Sequence, residues 1–400
     1  MRRMALLGFL VLCGFLVVSP ATVAQSPNRI IAIGDIHGSI DGVTSILKVA
    51  GLIDGSNKWT GGKTQLIQTG DYMDRGENTR AVMDLLMALE KPADEAGGRA
   101  FALLGNHEVM NLMGETRDAT KEIFAKFGDA DSEKRREAAW DAYAKLAESK
   151  KQKKEPVPTV YAQTKDQWMA GHPLGFVEYK EALSPKGKYG AWLRGKPMVT
   201  EVDGNIFMHA GIPPDNAPPK IDDLNAQLRD EIKRMDKLVD ALIDEKLATR
   251  DFTLNEILQV AAAEIGLANA RLSAARDAGT EPDRKLINMP MLLDAQEVMK
   301  IDSWLALNGD KSMWYRGLST VTDDASGGPF AALLQKYGAK RFVTGHTPQA
   351  KAMITVRFGG RAVLIDTGML TSVYRGRASA LEIIGDQLSA YYAEGKVRLP

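Results

Sequence analysis

Three short polar motifs, each directly after an apolar run, constrain the fold of this chain more than any other feature. The motifs are Gly34–Gly38 (GDIHG), Gly70–Gly76 (GDYMDRG) and Gly105–Glu108 (GNHE). The apolar runs before them predict strands over Arg29–Ile33, Gln65–Thr69 and Phe101–Leu104. Successive motifs lie about 35 residues apart, which leaves room for the helical crossover that parallel neighbours need. We therefore predict three parallel strands whose motifs meet at one edge of a sheet.

The segments between the motifs have the pattern of helices, over Ile40–Ala50 and Asn78–Glu90. Later strands are predicted at the end of the chain and in a hairpin around Asp203-Gly204-Asn205. The C-terminal strands are Arg341–Thr344, Met353–Phe358, Ala362–Asp366 and Ala380–Ile384, with Gly359-Gly360 as a second hairpin turn. They predict a second β layer behind the first. The expected fold class is therefore α/β, a β-sandwich flanked by α-helices.

Two helical stretches interrupt this pattern. Residues from about 115 to 156 are heavily charged, and residues from about 213 to 300 carry apolar side chains every three or four positions, which is typical of helix packing. We predict that both are insertions, forming a cap or rim on one catalytic domain that spans residues 25–400.

The first 24 residues have the plan of a signal peptide. Arg2 and Arg3 precede the apolar run Met4–Val18, and small residues follow up to Ala24. The run is shorter than the roughly 20 residues of a spanning helix, so we expect a periplasmic or secreted protein, membrane-anchored only if the segment stays uncleaved. Cys13 is the only cysteine. Cleavage would therefore leave neither disulfides nor thiolate catalysis.

The charge balance excludes a general attraction to polyanions. Lys+Arg and Asp+Glu each number 51, so the chain has no overall bias toward nucleic acid or an anionic membrane surface. We expect no nucleic-acid partner and no stable membrane insertion after signal cleavage. Any affinity for phosphate must therefore come from local groups.

The motif residues are the ligand types of a dinuclear metal centre. Two divalent ions about 3.5 to 4 Å apart can bind a phosphoryl group and its attacking oxygen, and they need a carboxylate between them. Asp71 is the candidate bridge. Asp35 and His37 are assigned to the first ion and Asn106 to the second. Imidazole, carboxylate and amide ligands suit Mn, Fe or Zn.

The second ion needs further nitrogen ligands, and two later strand ends provide them. His209 follows the strand of the Asp203 hairpin, and His346 follows Arg341–Thr344. Of the five histidines, His172 alone has no predicted role. The other four share a position near glycine at a predicted strand end, which favours ligand or catalytic roles.

The remaining motif residues suit phosphate binding and proton transfer. Arg75 and Arg316 can each offer a planar donor fork to phosphoryl oxygens, and Asn106 is also expected beside the substrate. His107 is the candidate general acid for the leaving group. Asp74 would hold its other ring nitrogen and raise its pKa.

These motifs resemble the GDxHG, GDxxDRG and GNHE signature of the phosphoprotein phosphatases within the calcineurin-like metallophosphoesterases, and the chain is similar to the bacterial-like Shewanella-like protein phosphatases. The resemblance implies the same residue roles and hydrolysis of phosphomonoesters by metal-activated hydroxide, on phosphotyrosine or phosphoserine/threonine. It departs from the eukaryotic members at Ala210, where they carry glycine, and in lacking their Ser-Ala-Pro-Asn-Tyr stretch. Their Ser/Thr specificity is therefore not transferred.

Two alternatives remain. Similar motifs support hydrolysis of dinucleoside polyphosphates or other small phosphoesters, which substrate preference would distinguish. A noncatalytic binding module could use the same fold to hold a partner through its helical insertions. The intact set of ligands and acid argues against that second alternative.

Overall fold

A computed structural model describes residues 28–152, 157–283 and 286–400. The predicted signal peptide and Cys13 lie outside these described residues. The strands within them form two sheets, and all three motifs follow strands of the first.

The first sheet contains β1 (Arg29–Ile33), β2 (Gln65–Gln68), β3 (Arg99–Ala102), β9 (Ala380–Ile384), β10 (Gln387–Tyr392) and β11 (Gly395–Arg398). Its strand order is β11-β10-β9-β1-β2-β3. β1, β2 and β3 run parallel, with Leu66 opposite Ile31 on one side and Ala100 on the other. The predicted parallel arrangement is confirmed. β3 begins and ends two residues earlier than expected. It ends early because the N–H of Leu104 donates to the carbonyl of Pro197 and not to the neighbouring strand.

The second sheet contains β4 (Val199–Val202), β5 (Asn205–Met208), β6 (Arg341–Thr344), β7 (Thr355–Arg357) and β8 (Ala362–Leu364). Its order is β4-β5-β6-β8-β7. β5, β6 and β8 are parallel, whereas β4–β5 and β7–β8 are antiparallel, as the two hairpins predicted.

The two sheets pack face to face through one buried apolar layer. Ile30 and Ile67 from the first sheet and Phe207 and Val343 from the second belong to it. Alternate residues such as Ile31 face the opposite side and join a larger core shared with the helices. The α/β sandwich flanked by helices is confirmed. One strand was assigned to the wrong layer: Ala380–Ile384, expected in the second sheet, pairs antiparallel with β1 in the first.

Helices cover the outer faces and fill the long connections. Their bounds are α1 (Ile40–Val49), α2 (Thr79–Glu95), α3 (Asn106–Leu112), α4 (Lys121–Ala125), α5 (Ser132–Lys151), α6 (Lys165–Gly171), α7 (Phe176–Leu183), α8 (Lys188–Arg194), α9 (Asp222–Asp244), α10 (Leu254–Asp277), α11 (Met289–Val298), α12 (Gly317–Thr320), α13 (Gly328–Tyr337) and α14 (Thr371–Tyr374). Helical structure after residue 114 thus runs beyond 156, as far as Arg194. None of the helices in the described ranges has the length and apolarity needed to cross a bilayer.

The helical segments close against α3, which carries the third motif. The apolar residues of α9, including Leu228 and Ile232, are buried as packing residues. The N–H of Leu254, at the start of α10, donates to the carbonyl of Gly114 just beyond α3 (2.8 Å). The helices therefore pack behind the edge of the sandwich that carries the three motifs.

Candidate metal centre

The predicted site residues follow the C-terminal ends of parallel strands from both sheets. Asp35, Asp71 and Asn106 come after β1, β2 and β3, while His209 and His346 come after β5 and β6. The edge brings together groups that are far apart in the chain: the N–H of His346 donates to Asp35 Oδ1 at 2.9 Å. All five side chains are buried.

Asp71 lies at the centre of this cluster. Its Oδ2 is 3.7 Å from His37 Nε2 and 3.2 Å from His209 Nε2. His209 Nε2 is also 2.8 Å from Asn106 Oδ1 and 2.9 Å from His346 Nδ1. Among the residues that the structure describes, two groups of side chains offer atoms close enough to share an ion, and both contain Asp71; they are His37, Asp71 and His107, and Asp71, His209 and His346.

Three of these histidines have one ring nitrogen against a backbone carbonyl. The pairs are His37 Nδ1 with Met73 O (2.9 Å), His209 Nδ1 with Thr69 O (3.2 Å) and His346 Nε2 with Trp314 O (3.0 Å). A neutral imidazole donates from one nitrogen, so the other keeps its lone pair toward the cluster. Burial lowers the pKa of His37 to about 3 and that of His346 to about 2. Both rings are therefore neutral at pH 7, as metal ligands must be.

Several buried carboxyl groups lie close together beside these rings. Burial raises the pKa of Asp35 well above its ordinary value, and the charges of Asp366 and Asp71 raise it further. Asp366, just beyond β8, has a pKa raised by burial to about 6. Its Oδ1 accepts the N–H of Gly368, but no donor among the described residues reaches its Oδ2. Buried carboxylates of this kind fit bound divalent cations, whose charge offsets theirs.

The loop after β2 has a strained backbone that Glu108 holds in place. Asp71, Asp74 and Arg75 have φ angles of 58°, 63° and 65°, in the left-handed region that L-residues rarely adopt. Glu108 Oε2 accepts the N–H groups of Asp71 (2.7 Å) and Gly105 (2.8 Å). Its Oε1 accepts the next two N–H groups of the loop, those of Tyr72 and Met73, at 3.0 Å. Glu108 of the third motif thereby stabilises the backbone conformation of the second motif.

His107 differs from His37 and His346 in the direction of its pKa shift. Its Nδ1 is 2.9 Å from Asp74 Oδ2, and its Nε2 is 3.8 Å from Asp71 Oδ2. Burial alone would lower the pKa of His107, but the charge of Asp71 and the hydrogen bond and charge of Asp74 raise it to about 9. A ring protonated at neutral pH can donate a proton from Nε2, whereas it has no lone pair for a metal.

The two predicted phosphate-binding arginines flank the cluster in different settings. The Arg75 guanidinium lies 5.4 Å from the centroid of the Tyr374 ring, which stacks on His37 with a centroid separation of 5.6 Å. Arg316 is exposed, and its Nη1 donates to the carbonyl of His346 and to Thr347 Oγ1. The guanidinium groups of Arg75 and Arg316 therefore both lie next to histidines of the cluster.

Two neighbours of the site had no assigned role in the sequence reasoning. Asp366 follows a strand end, as the predicted ligands do, and that position was an available signal. Asp118 follows no recognisable motif; its carbonyl accepts the N–H of Arg75, and its Oδ2 is 3.8 Å from His107 Nδ1. His172 lies away from the cluster, stacked on Trp168 with a centroid distance of 3.9 Å.

Comparison with known families agrees with this geometry. Residues 28–238, more than half of the chain, match the model of the calcineurin-like phosphoesterases. The chain belongs to the calcineurin-like phosphoesterase family. The family indicated by the three motifs is thus confirmed, and its defining region contains Asp35, Asp71, Asn106 and His209.

Relatives of this calcineurin-like phosphoesterase include named phosphatases. It is 42% identical over 103 residues to Shewanella-like protein phosphatase 2 of Arabidopsis thaliana, a match covering 26% of each chain. It is 27% identical over 206 residues to Shewanella-like protein phosphatase 1 of Plasmodium berghei, covering 52% of this chain and 45% of that one. The matches therefore span less than half of either relative.

A solved structure shares the fold. The cold-active protein-tyrosine phosphatase of a psychrophilic Shewanella species superposes with a TM-score of 0.53 at 19% identity. The match covers 94% of this chain and 81% of the other. The likeness extends beyond the family match to both sheets.

Proposed function

We propose that this calcineurin-like phosphoesterase is a dinuclear-metal phosphomonoesterase acting on phosphorylated proteins or peptides. One observation carries the proposal: Asp71 Oδ2 lies within 3.8 Å of ring nitrogens of His37, His209 and His107. Two of those rings, His37 and His209, have their other nitrogen against a backbone carbonyl, as metal-ligating histidines commonly do, and the third is paired with Asp74. A shared carboxylate between ligand histidines and an acid histidine suits hydrolysis of a phosphate ester.

The residues present fit two divalent ions. Asp35, His37 and Asp71 would hold the first ion, and Asp71, Asn106, His209 and His346 the second. Bound ions would stabilise charge on the phosphoryl oxygens and lower the pKa of an attacking water. The mixture of imidazole, carboxylate and amide donors supports Mn, Fe or Zn.

The chain's own side chains would bind the phosphate and supply the proton. Arg75 and Arg316 would donate to the nonbridging oxygens. As the ester P–O bond breaks, His107 Nε2 would give its proton to the departing alkoxide or phenoxide oxygen. His107 then becomes neutral and recovers a proton from solvent, while Asp74 keeps Nδ1 in place.

Two observations support a protein or peptide substrate. The relatives named above include protein phosphatases. A groove of about 390 Å³ adjoins Arg75 and continues past Ser39 and Glu122, which gives room for residues next to a phosphorylated side chain. Small phosphoesters and dinucleoside polyphosphates remain the second candidate class, since the same phosphate-binding groups would serve them.

The test is hydrolysis of a phosphotyrosine peptide, a phosphoserine peptide and a dinucleoside polyphosphate with Mn²⁺. Asp71→Asn and His107→Ala should abolish peptide turnover, whereas Asp54→Asn, in an exposed turn, should leave it unchanged. Turnover of the nucleotide alone would move the function to small phosphoesters. Absence of all turnover in protein shown to contain metal would favour the binding module.

We further propose export, because residues 1–24 have the composition of a signal peptide. Expression in a Gram-negative host, fractionation and mass spectrometry of the N-terminus would test this. A mature chain beginning near Gln25 in the periplasm is expected. An intact N-terminus in the cytosolic fraction would refute it.

A further inference from the structure

A line of hydrogen bonds leads from the acid pair into the helical segment behind it. Asp74 Oδ2, which pairs with His107 Nδ1, also accepts from Asn111 Nδ2 at 2.8 Å. The same Nδ2 donates to the carbonyl of His107 at 2.9 Å. Asn111 Oδ1 in turn accepts from the hydroxyl of Tyr179 at 2.5 Å. The line thus begins on α7 and ends at Nδ1 of His107, on the side of the ring opposite the proton-donating Nε2.

The chemistry of these groups fixes the direction of every bond. Asp74 Oδ2 and the His107 carbonyl are both acceptors, so the amide of Asn111 must present its NH₂ group to them. Its oxygen is left facing Tyr179, whose hydroxyl must donate. Without that hydroxyl, the amide oxygen would be buried without a partner, and the amide orientation would lose one of its restraints.

Tyr179 is held rigidly enough to act through this contact. Its side chain is fully buried, and its ring packs edge-on against Phe124 and Phe127, with centroids 5.0 Å and 4.9 Å away. The adjacent Lys180 donates from Nζ to the carbonyl of Phe252 at 2.8 Å, which ties α7 to the segment leading into α10.

We propose that Tyr179 is a positioning residue for the general acid, acting through Asn111 and Asp74 on His107. This inference rests on the proposed phosphomonoesterase function. Helix α7 would then contribute to catalysis by orienting the proton donor, without touching substrate or metal. Loss of the Tyr179 hydroxyl should lower kcat most for esters whose leaving group most needs a proton. Outer hydrogen-bond partners of site residues commonly change activity by about 10- to 100-fold.

Tyr143 provides a matched control. It is also buried in the helical segment, and its hydroxyl donates to the backbone carbonyl of Val160 at 2.9 Å, with no link to Asp74. Tyr143→Phe and Tyr179→Phe each remove one buried hydroxyl. Any effect of generally loosened packing should therefore appear in both variants.

The kinetic test compares p-nitrophenyl phosphate, a good leaving group, with phenyl phosphate, a poor one. Tyr179→Phe should lower kcat about tenfold for phenyl phosphate and less than about twofold for p-nitrophenyl phosphate, with KM unchanged. Asn111→Ala should add little to the loss when combined with Tyr179→Phe, because both act on one line of contacts. Equal losses on both esters, or the same pattern in Tyr143→Phe, would overturn the proposal.

A second readout does not depend on activity. The chain has only five histidines, so ¹⁵N-histidine spectra of the full chain can be assigned, using His107→Ala to identify the His107 signals. Tyr179→Phe should shift the His107 Nδ1 resonance, and Tyr143→Phe should not. If Tyr179→Phe leaves the His107 Nδ1 resonance in place, the positioning role is refuted. If the resonance shifts but the native protein hydrolyses no phosphate ester, only the proposed function fails.

Discussion

Replacing Glu108 with glutamine tests how the second motif keeps its unusual backbone. The carboxylate accepts four backbone N–H groups, two on each oxygen. Glutamine is nearly the same size but has one acceptor oxygen, so two of the four donors would face its NH₂ group instead. Each buried donor left without an acceptor costs about 1–3 kcal/mol, which gives a total of about 2–6 kcal/mol.

Glu231→Gln is the matched control for this substitution. Glu231 is also buried, and it accepts the N–H groups of Leu305 and Ala306, one on each oxygen. Glutamine there leaves one backbone donor unpaired, for an expected loss of about 1–3 kcal/mol. Because Glu231 lies in α9, away from the strained loop, its substitution should not change kcat.

The assay is urea unfolding of metal-free protein, followed by tryptophan fluorescence at about pH 8. This pH keeps Glu108 ionised, because burial raises its pKa to about 7. Metal binding to the refolded variants is then measured by calorimetry. Glu108→Gln should be the less stable variant and should bind metal more weakly than the native chain. If it is as stable as Glu231→Gln and binds metal normally, the loop does not depend on the Glu108 carboxylate.

Three further predictions concern the site. Because the pKa of His107 is raised to about 9, despite its burial, by Asp71 and Asp74, kcat for a phosphoserine peptide should fall as pH rises through about 9. Any residual kcat of His107→Gln should lack that decline. Burial lowers the pKa of His37 to about 3 and that of His346 to about 2 from 6.5, so the unfolded chain binds protons that the folded chain does not. The melting temperature of metal-free protein should therefore fall as pH drops below about 6.5, and it should fall less in His37→Asn or His346→Asn. An equal fall in the native chain and in both variants would contradict the lowered pKa values of these two histidines. Tyr374→Ala removes the ring beside Arg75, a contact worth about 1 kcal/mol, so KM for an aryl phosphate should rise about fivefold in steady-state kinetics; an unchanged KM would refute this.

Local patterns in the sequence were sufficient to predict the parallel strands of the catalytic edge. Each of those strands is an apolar run ended by glycine and polar residues, and such a signal needs no knowledge of distant contacts. β10 was missed although its Leu388, Ala390 and Tyr392 alternate with more exposed residues. Its alternation is typical of a half-buried strand, and the preceding Gly385-Asp386 turn was a further signal.

The partners that orient the site could not be predicted in the same way. Glu108 was recognised as part of a motif, but its four donors become visible only when the loop after β2 is folded against α3. Tyr179 has no motif at all, and its partner Asn111 is 68 residues earlier. Long-range hydrogen bonds of this kind depend on how helices pack, which hydrophobic periodicity does not specify.

The assembly of one site from both sheets has a consequence for when metal can be acquired. Asp35 lies 311 residues before His346, and Asp366 comes later still; the three meet only when the sandwich closes. A chain that has not yet been synthesised past His346 therefore lacks part of the proposed ligand set. The proposed metal ions can be bound only after the second sheet has docked on the first, so the compartment in which that docking occurs would determine which ions are available.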